Sequence, residues 1–120
     1  MQRILIVDDA AFMRAKIKMT LEKAGYAVVG EAANGLEGVS QYKKLKPDLV
    51  TLDITMPVMD GIDALKEIRE FDSNAKVLMV SAMGQEGIVM EAVLSGAKTF
   101  IVKPFSDEKL VDTILKMLSV

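Results

Sequence analysis

The sequence predicts an open α/β fold, a (βα)5 chain wound onto both faces of a parallel sheet. Five short apolar runs, at 3–7, 27–30, 48–53, 77–80 and 99–102, are each followed by a segment with helical spacing and turn residues. Two of them, Arg3-Ile-Leu-Ile-Val7 and Leu49-Val-Thr-Leu52, are apolar at nearly every position, as strands covered on both faces are, and so belong in the sheet centre. Right-handed crossovers then place helices on both sides.

Each element has its own signals. The first strand runs into Asp8-Asp9, and a helix is expected over 11–24 until Gly25 stops it. Its apolar face is read as Phe12, Ala15, Ile17, Met19, Leu21 and Ala24, with Lys16, Lys18, Glu22 and Lys23 largely opposite. A second strand at 27–30 leads to a helix at 35–45. The third strand, 48–53, finishes on Asp53 and leads to a helix at 61–70, which the Asp72-Ser-Asn74 cluster ends. The fourth, 77–80, leads to Ser81 and a helix at 86–95, ended by Gly96. The fifth, 99–102, runs into Lys103-Pro104 and a last helix at 107–118. In the fourth helix Ile88, Val89, Met90, Ala92, Val93 and Leu94 cover an arc of about 240° at ~100° per residue. A surface helix buries a stripe somewhat over ~100° wide, so the excess means either unusual burial or an apolar patch for a partner. Met90 suits an adaptable contact.

Composition bounds the function. A length of 120 residues with 51% apolar content fits one domain, expected over 1–120, with no linker, repeat or low-complexity segment. The 15 basic and 17 acidic residues are interspersed, with no basic block to neutralise a row of phosphates, so nucleic-acid binding is not expected. Cysteine and histidine are both absent, which removes disulfides, thiolate metal sites, imidazole bases and most zinc chemistry. The first apolar run is too short for a signal sequence or a membrane span, so a soluble cytoplasmic protein is the expectation.

The chemistry gathers at the strand ends. In an open parallel sheet everything just past the carboxyl ends converges on one rim, where such folds bind ligands. Asp8 and Asp9 follow strand 1, Asp53 ends strand 3 and Lys103 follows strand 5. Each has a plainer reading. Asp8 or Asp9 suits a helix cap, Lys103-Pro104 an ordinary turn, and Ser81 a strand-end hydroxyl on a nearby backbone group. Asp53 is harder to explain away, because an acid closing an apolar strand is desolvated unless it is paired. Two carboxylates ~4 Å apart repel by roughly 4 kcal/mol at an effective dielectric of about 20, so three beside one lysine favour a divalent cation. Oxygen ligands suit Mg²⁺, which keeps several waters and accepts phosphate oxygens.

Val7-Asp-Asp9, Leu52-Asp53-Ile-Thr-Met-Pro57 with Asp60-Gly61, Ser81-Ala82 and Lys103-Pro104-Phe105 together resemble a response-regulator receiver domain, most of all the stand-alone chemotaxis receivers of the CheY type. The resemblance spans the whole chain. It implies a flavodoxin-like (CheY-like) sheet of strand order 2-1-3-4-5. It also implies that Asp53 is the phosphoacceptor, that Asp9 and Asp53 ligate Mg²⁺ directly with the Thr55 backbone carbonyl, and that Asp8 holds the ion through water. Lys103 would pair with a phosphoryl oxygen, and the bond before Pro104 would be cis. Ser81 would be the switch hydroxyl and Phe100 the switch aromatic. Phenylalanine has no phenolic donor, so a switch here must rest on ring packing. Thr55 and Met83 occupy positions that tune access of hydrolytic water. The partner surface would be Val89, Met90, Val93 and Phe100. The implied partners are a CheA-like histidine kinase as phosphodonor, a flagellar motor switch protein or similar target, and a phosphatase, with the chain itself a monomer.

The function expected is therefore a phosphorylation-controlled binding switch that catalyses only its own phosphorylation and dephosphorylation. A phosphorelay intermediate and a receiver cut from a larger regulator share the same chemistry, and the ending at Val120 favours a stand-alone chain. A Mg²⁺-dependent phosphohydrolase using Asp53 would need an acid or base to expel its intermediate, and no histidine is present. A flavin or nucleotide carrier would need a glycine- or hydroxyl-rich first loop, where Asp8-Asp9 would repel phosphate.

Overall fold

A computed structural model describes residues 1–119; Val120, where the expected 1–120 domain ends, lies outside the described residues. Strands β1 (Arg3–Val7), β2 (Ala27–Ala32), β3 (Leu49–Asp53), β4 (Val77–Ser81) and β5 (Thr99–Val102) alternate with helices α1 (Ala11–Lys23), α2 (Gly35–Leu45), α3 (Gly61–Phe71), α4 (Glu86–Leu94) and α5 (Asp107–Leu118). The strands form one parallel sheet in the order β2-β1-β3-β4-β5, the doubly wound flavodoxin-like arrangement. The elements match the expected ones to within two residues at each end.

Alternation along the strands sorts the core into two layers. Leu5, Val7, Val50, Leu52, Val77 and Met79 face a cluster that includes Val39, Leu65, Ile68 and Ala92, from α2, α3 and α4. The intervening Ile4, Ile6, Leu49, Leu78, Val80 and Ile101 face Ile17, Leu21, Leu110 and Ile114, from α1 and α5. Strands apolar at every position are what this arrangement requires, because both faces are covered.

The apolar face expected for α1 needs correction. Ile17 and Leu21 are buried with Thr20, while Phe12 and Met19 are exposed. Phe12 and Leu21 lie about 180° apart around a helix, so the expected set joined two opposite faces. Met13, Ile17, Thr20 and Leu21 follow the three- and four-residue spacing of the buried stripe.

Three helix starts are closed by side chains: Asn34 accepts from the Glu37 amide at 2.9 Å, Asp60 from Asp63 at 2.9 Å and Ser106 from Lys109 at 3.0 Å. The N-cap residues of α1 and α4, Ala10 and Gln85, provide no such bond. Both of those starts lie on the rim at the carboxyl ends of the strands.

Candidate functional site

β1, β3 and β5 deliver their ends to one side of the sheet. Asp8 follows β1, extends its pairing by donating its amide to the Ala32 carbonyl at 3.0 Å, and is buried. Its Oδ1 accepts from the Ala10 amide at 2.9 Å, so Asp8 closes a local turn and does not cap α1. Asp53 is the last residue of β3 and is also buried, whereas Asp9 is exposed. Lys103 follows β5, and its Nζ donates to Asp8 Oδ2 at 3.2 Å and to Asp53 Oδ2 at 3.3 Å. The Lys103-Pro104 bond is cis.

One ammonium therefore serves two buried carboxylates with a third nearby. Oxygens of Asp8, Asp9 and Asp53 lie within 4.8 Å of one another. Burial, reinforced by the Asp8 charge, raises the Asp53 carboxyl above the ordinary aspartate range despite Lys103. Burial pulls the other way on Lys103, but Asp53 and Asp8 outweigh it and hold the ammonium above the usual lysine range. The lysine is firmly charged and the cup still carries excess negative charge. All three acids offer hard oxygen donors, and the donor set fits a divalent cation of the Mg²⁺ kind.

Backbone packing fixes the acids in place. A Cβ on Gly61 would fall 2.1 Å from the Asp53 carbonyl oxygen and 2.8 Å from Ile54 Cα, so α3 presses against the end of β3 only because residue 61 has no side chain. The Gly61 amide donates to the Ile54 carbonyl at 2.7 Å. On the other flank Arg14 donates from Nη1 to the Asp8 carbonyl at 2.5 Å, while its Nε lies 3.4 Å from Glu31 on β2. Arg14 was not singled out by the sequence. It shares the face of α1 that carries the buried Ile17 and Leu21, three and seven residues on, but a basic residue one turn into a surface helix carries no signal of its own.

The remaining expected residues lie around this cup. Ser81 ends β4, is buried, and donates from Oγ to the Ile101 carbonyl at 3.5 Å, the limit of a hydrogen bond. Its own carbonyl accepts from the Lys103 amide at 2.7 Å, joining the β4 and β5 ends. Thr55 is exposed on the loop after β3, and Met83 is exposed after β4. An apolar groove of about 500 Å³ starts at Ser81 and runs along Met83, Val89, Met90 and Val93 to Phe100. Of the apolar arc on α4, Val89 and Ala92 are buried, while Met90, Val93 and Leu94 are exposed, so the excess is a surface patch. Phe100 is 41% exposed and lines the end of this groove. Gln85 was also missed: it accepts from the Ala82 amide at 2.6 Å and donates to Thr55 Oγ1 at 3.0 Å, linking the loops after β4 and β3.

Residues 4–115 match the response regulator receiver domain family. The chain belongs to the response-regulator receiver family. The receiver is 59% identical to the chemotaxis protein CheY of Thermotoga maritima over 97% of each chain, and 57% identical to that of Bacillus subtilis over 98% of each. Among solved structures it resembles the CheX-CheY-BeF3-Mg²⁺ complex from Borrelia burgdorferi, with a TM-score of 0.92 and 44% identity over 96% of this chain and 87% of that one. It is thus a receiver closely related to chemotaxis response regulators of two-component signalling, a kinship consistent with a phosphoacceptor switch. Among the described residues no helix is long and apolar enough to cross a membrane.

Proposed function

We propose that this receiver, a single domain over 1–120, takes a phosphoryl group onto Asp53 and thereby changes what binds its α4-β5 face. The observation that carries this is the pair of bonds from Lys103 Nζ to Asp8 and Asp53 at 3.2 and 3.3 Å, within a three-carboxylate cup too negative for one lysine to balance. Asp9, Asp53 and the Thr55 carbonyl would hold Mg²⁺, with Asp8 reaching it through water. When bound, the ion supplies charge neutralisation for the incoming phosphate. An Asp53 oxygen attacks phosphorus in line; the O–P bond forms as the P–N bond of the donor phosphohistidine breaks, and because the donor ring is protonated on its other nitrogen the electron pair of that bond leaves with neutral imidazole. Lys103, already within reach of Asp53 and charged, then pairs with a phosphoryl oxygen. Ser81 gives up its long bond to the Ile101 carbonyl for another phosphoryl oxygen, a small loss for a stronger, charge-assisted contact. Phe100 turns in toward the space beside Ser81, which reshapes the groove along Val89, Met90 and Val93. Val89 contributes as buried lining, and Met90 and Val93 as exposed contacts.

The phosphodonor is a CheA-like histidine kinase and the target a flagellar motor switch protein or similar component. A phosphatase completes the cycle, and the Borrelia complex of a CheY with CheX supports a receiver of this type engaging a further protein partner. The receiver acts as a cytoplasmic monomer that catalyses only its own phosphorylation and dephosphorylation. Mass spectrometry after acetyl phosphate with Mg²⁺ should show a labile adduct of about 80 Da on residue 53, absent in Asp53→Asn. No adduct in the wild-type protein with metal present would overturn the proposal.

A further inference from the structure

Gln85 stands at the start of α4 but leaves its own helix uncapped. Both ends of its side-chain amide are instead used across the rim: Oε1 accepts from the Ala82 amide at 2.6 Å, and Nε2 donates to Thr55 Oγ1 at 3.0 Å. The partners fix the orientation, since a flipped amide would set its NH₂ against the Ala82 N–H. Ala82 directly follows Ser81, and Thr55 lies two residues after Asp53. The bridge therefore joins the two loops that flank the acceptor acid, thirty residues apart in sequence.

We propose that Gln85 is a clasp that holds the loop after β4 in its present position and opposes its closure onto a group carried by Asp53. This deepens the phosphoacceptor reading and rests on it. Asp53 pairs in register with Val80, so Ser81 lies one step beyond it on the adjacent strand. For the Ser81 hydroxyl to leave the Ile101 carbonyl and reach an oxygen on Asp53, the Ser81-Ala82 backbone must turn toward β3. The Ala82 amide cannot follow while Gln85 holds it at 2.6 Å. Closure thus requires the clasp to open, and removing the clasp shifts the equilibrium toward the closed loop. Ala82 and Thr55 are exposed, so water replaces much of what is lost and the effect is limited to a few-fold. Gln85 touches neither the acceptor oxygen nor the carboxylate cup, and is a positioning residue.

The test compares beryllofluoride binding with Mg²⁺ by calorimetry in wild type, Gln85→Ala, Thr55→Val and the double variant, with Ala82 amide exchange followed by NMR in the metal-free protein. Gln85→Ala should bind beryllofluoride roughly fivefold tighter, with Mg²⁺ binding alone unchanged and Ala82 exchange accelerated. Thr55→Val should tighten binding by less, and the double variant should match Gln85→Ala, since both remove the same bridge. Unchanged or weaker binding in a folded Gln85→Ala protein, or unaltered Ala82 protection, overturns the clasp. Should Gln85→Ala fail to fold, Gln85→Met, close in size but without the amide, decides by the same comparison. Wild type that binds no beryllofluoride overturns the phosphoacceptor reading and the clasp together; normal wild-type binding with no change in the variants overturns the clasp alone.

Discussion

Asp53 is buried at the end of β3 with Asp8 beside it, and both share Lys103. Burial and the Asp8 charge raise its carboxyl above the ordinary aspartate range. A group whose pKa rises on folding binds more protons in the native state across the window between its two values, so stability falls as pH rises through that window. Above the raised value, ionised Asp53 is a standing cost to the metal-free fold. Asp53→Asn removes it, so the variant should melt at a higher Tm than wild type at pH 7 in chelator. The gap should narrow as pH drops through the raised pKa to below the ordinary aspartate value, where both proteins carry a neutral side chain. A lower Tm for the variant at pH 7 would mean that the bond to Lys103 outweighs burial. Lys103 runs the opposite way: its pKa is raised on folding, so its contribution is present at neutral pH and is lost only as pH rises through the raised value. These acids and this lysine were legible in the sequence because each closes or follows an apolar strand. The shared use of Lys103 by Asp8 and Asp53 was not, because it depends on side-chain reach across three strands.

At the scale of elements, periodicity succeeded where one face dominates and failed where two compete. In α1 the apolar residues fall on opposite sides, and only three- and four-residue spacing, tested for each residue, separates buried Ile17 and Leu21 from exposed Phe12 and Met19. In α4 the arc was too wide for one buried stripe, and that excess is the exposed patch of Met90, Val93 and Leu94. α4 thus buries Val89 and Ala92 against the sheet while its outer side adjoins the groove reaching Phe100. A charge placed on the outer side meets water in the free protein, and a desolvated apolar contact in a complex. Met90→Lys, 61% exposed in the free protein, should therefore leave stability within about 0.5 kcal/mol and the rate of modification by acetyl phosphate unchanged, yet weaken capture of the partner gained with beryllofluoride by tenfold or more, on the order of 1–2 kcal/mol. Parallel loss of modification would show that the substitution reaches the cup and not the patch alone.

Across the whole molecule, a parallel sheet turns sequence order into spatial convergence: five strands pointing the same way leave every βα loop on one rim. That is why the acidic cup could be assembled on paper from residues far apart in the chain, whereas Gln85 and Arg14, which act through a loop-to-loop bridge and a backbone carbonyl, could not. The same convergence ties ligand binding to global stability. Asp8 and Asp9 are carried by β1 and Asp53 by β3, neighbouring strands at the centre of the sheet, so an ion held by all three binds only the folded chain. Ligand at ~100 times its dissociation constant adds about 2.7 kcal/mol to unfolding, which for a domain of this size is on the order of 10 °C in Tm. Saturating MgCl₂ should produce such a rise over NaCl of equal ionic strength. The rise should shrink as pH falls through the raised Asp53 value, because a protonated carboxyl is a poor ligand. It should be smaller in Asp53→Asn and in Asp9→Asn, each of which removes one charged donor, while a substitution on the outer face of α4 should leave it intact. Calorimetric melts across that set separate a cation seated in the cup from one that merely screens the surface, since screening would raise Tm equally in every variant and at every ionic composition of the same strength.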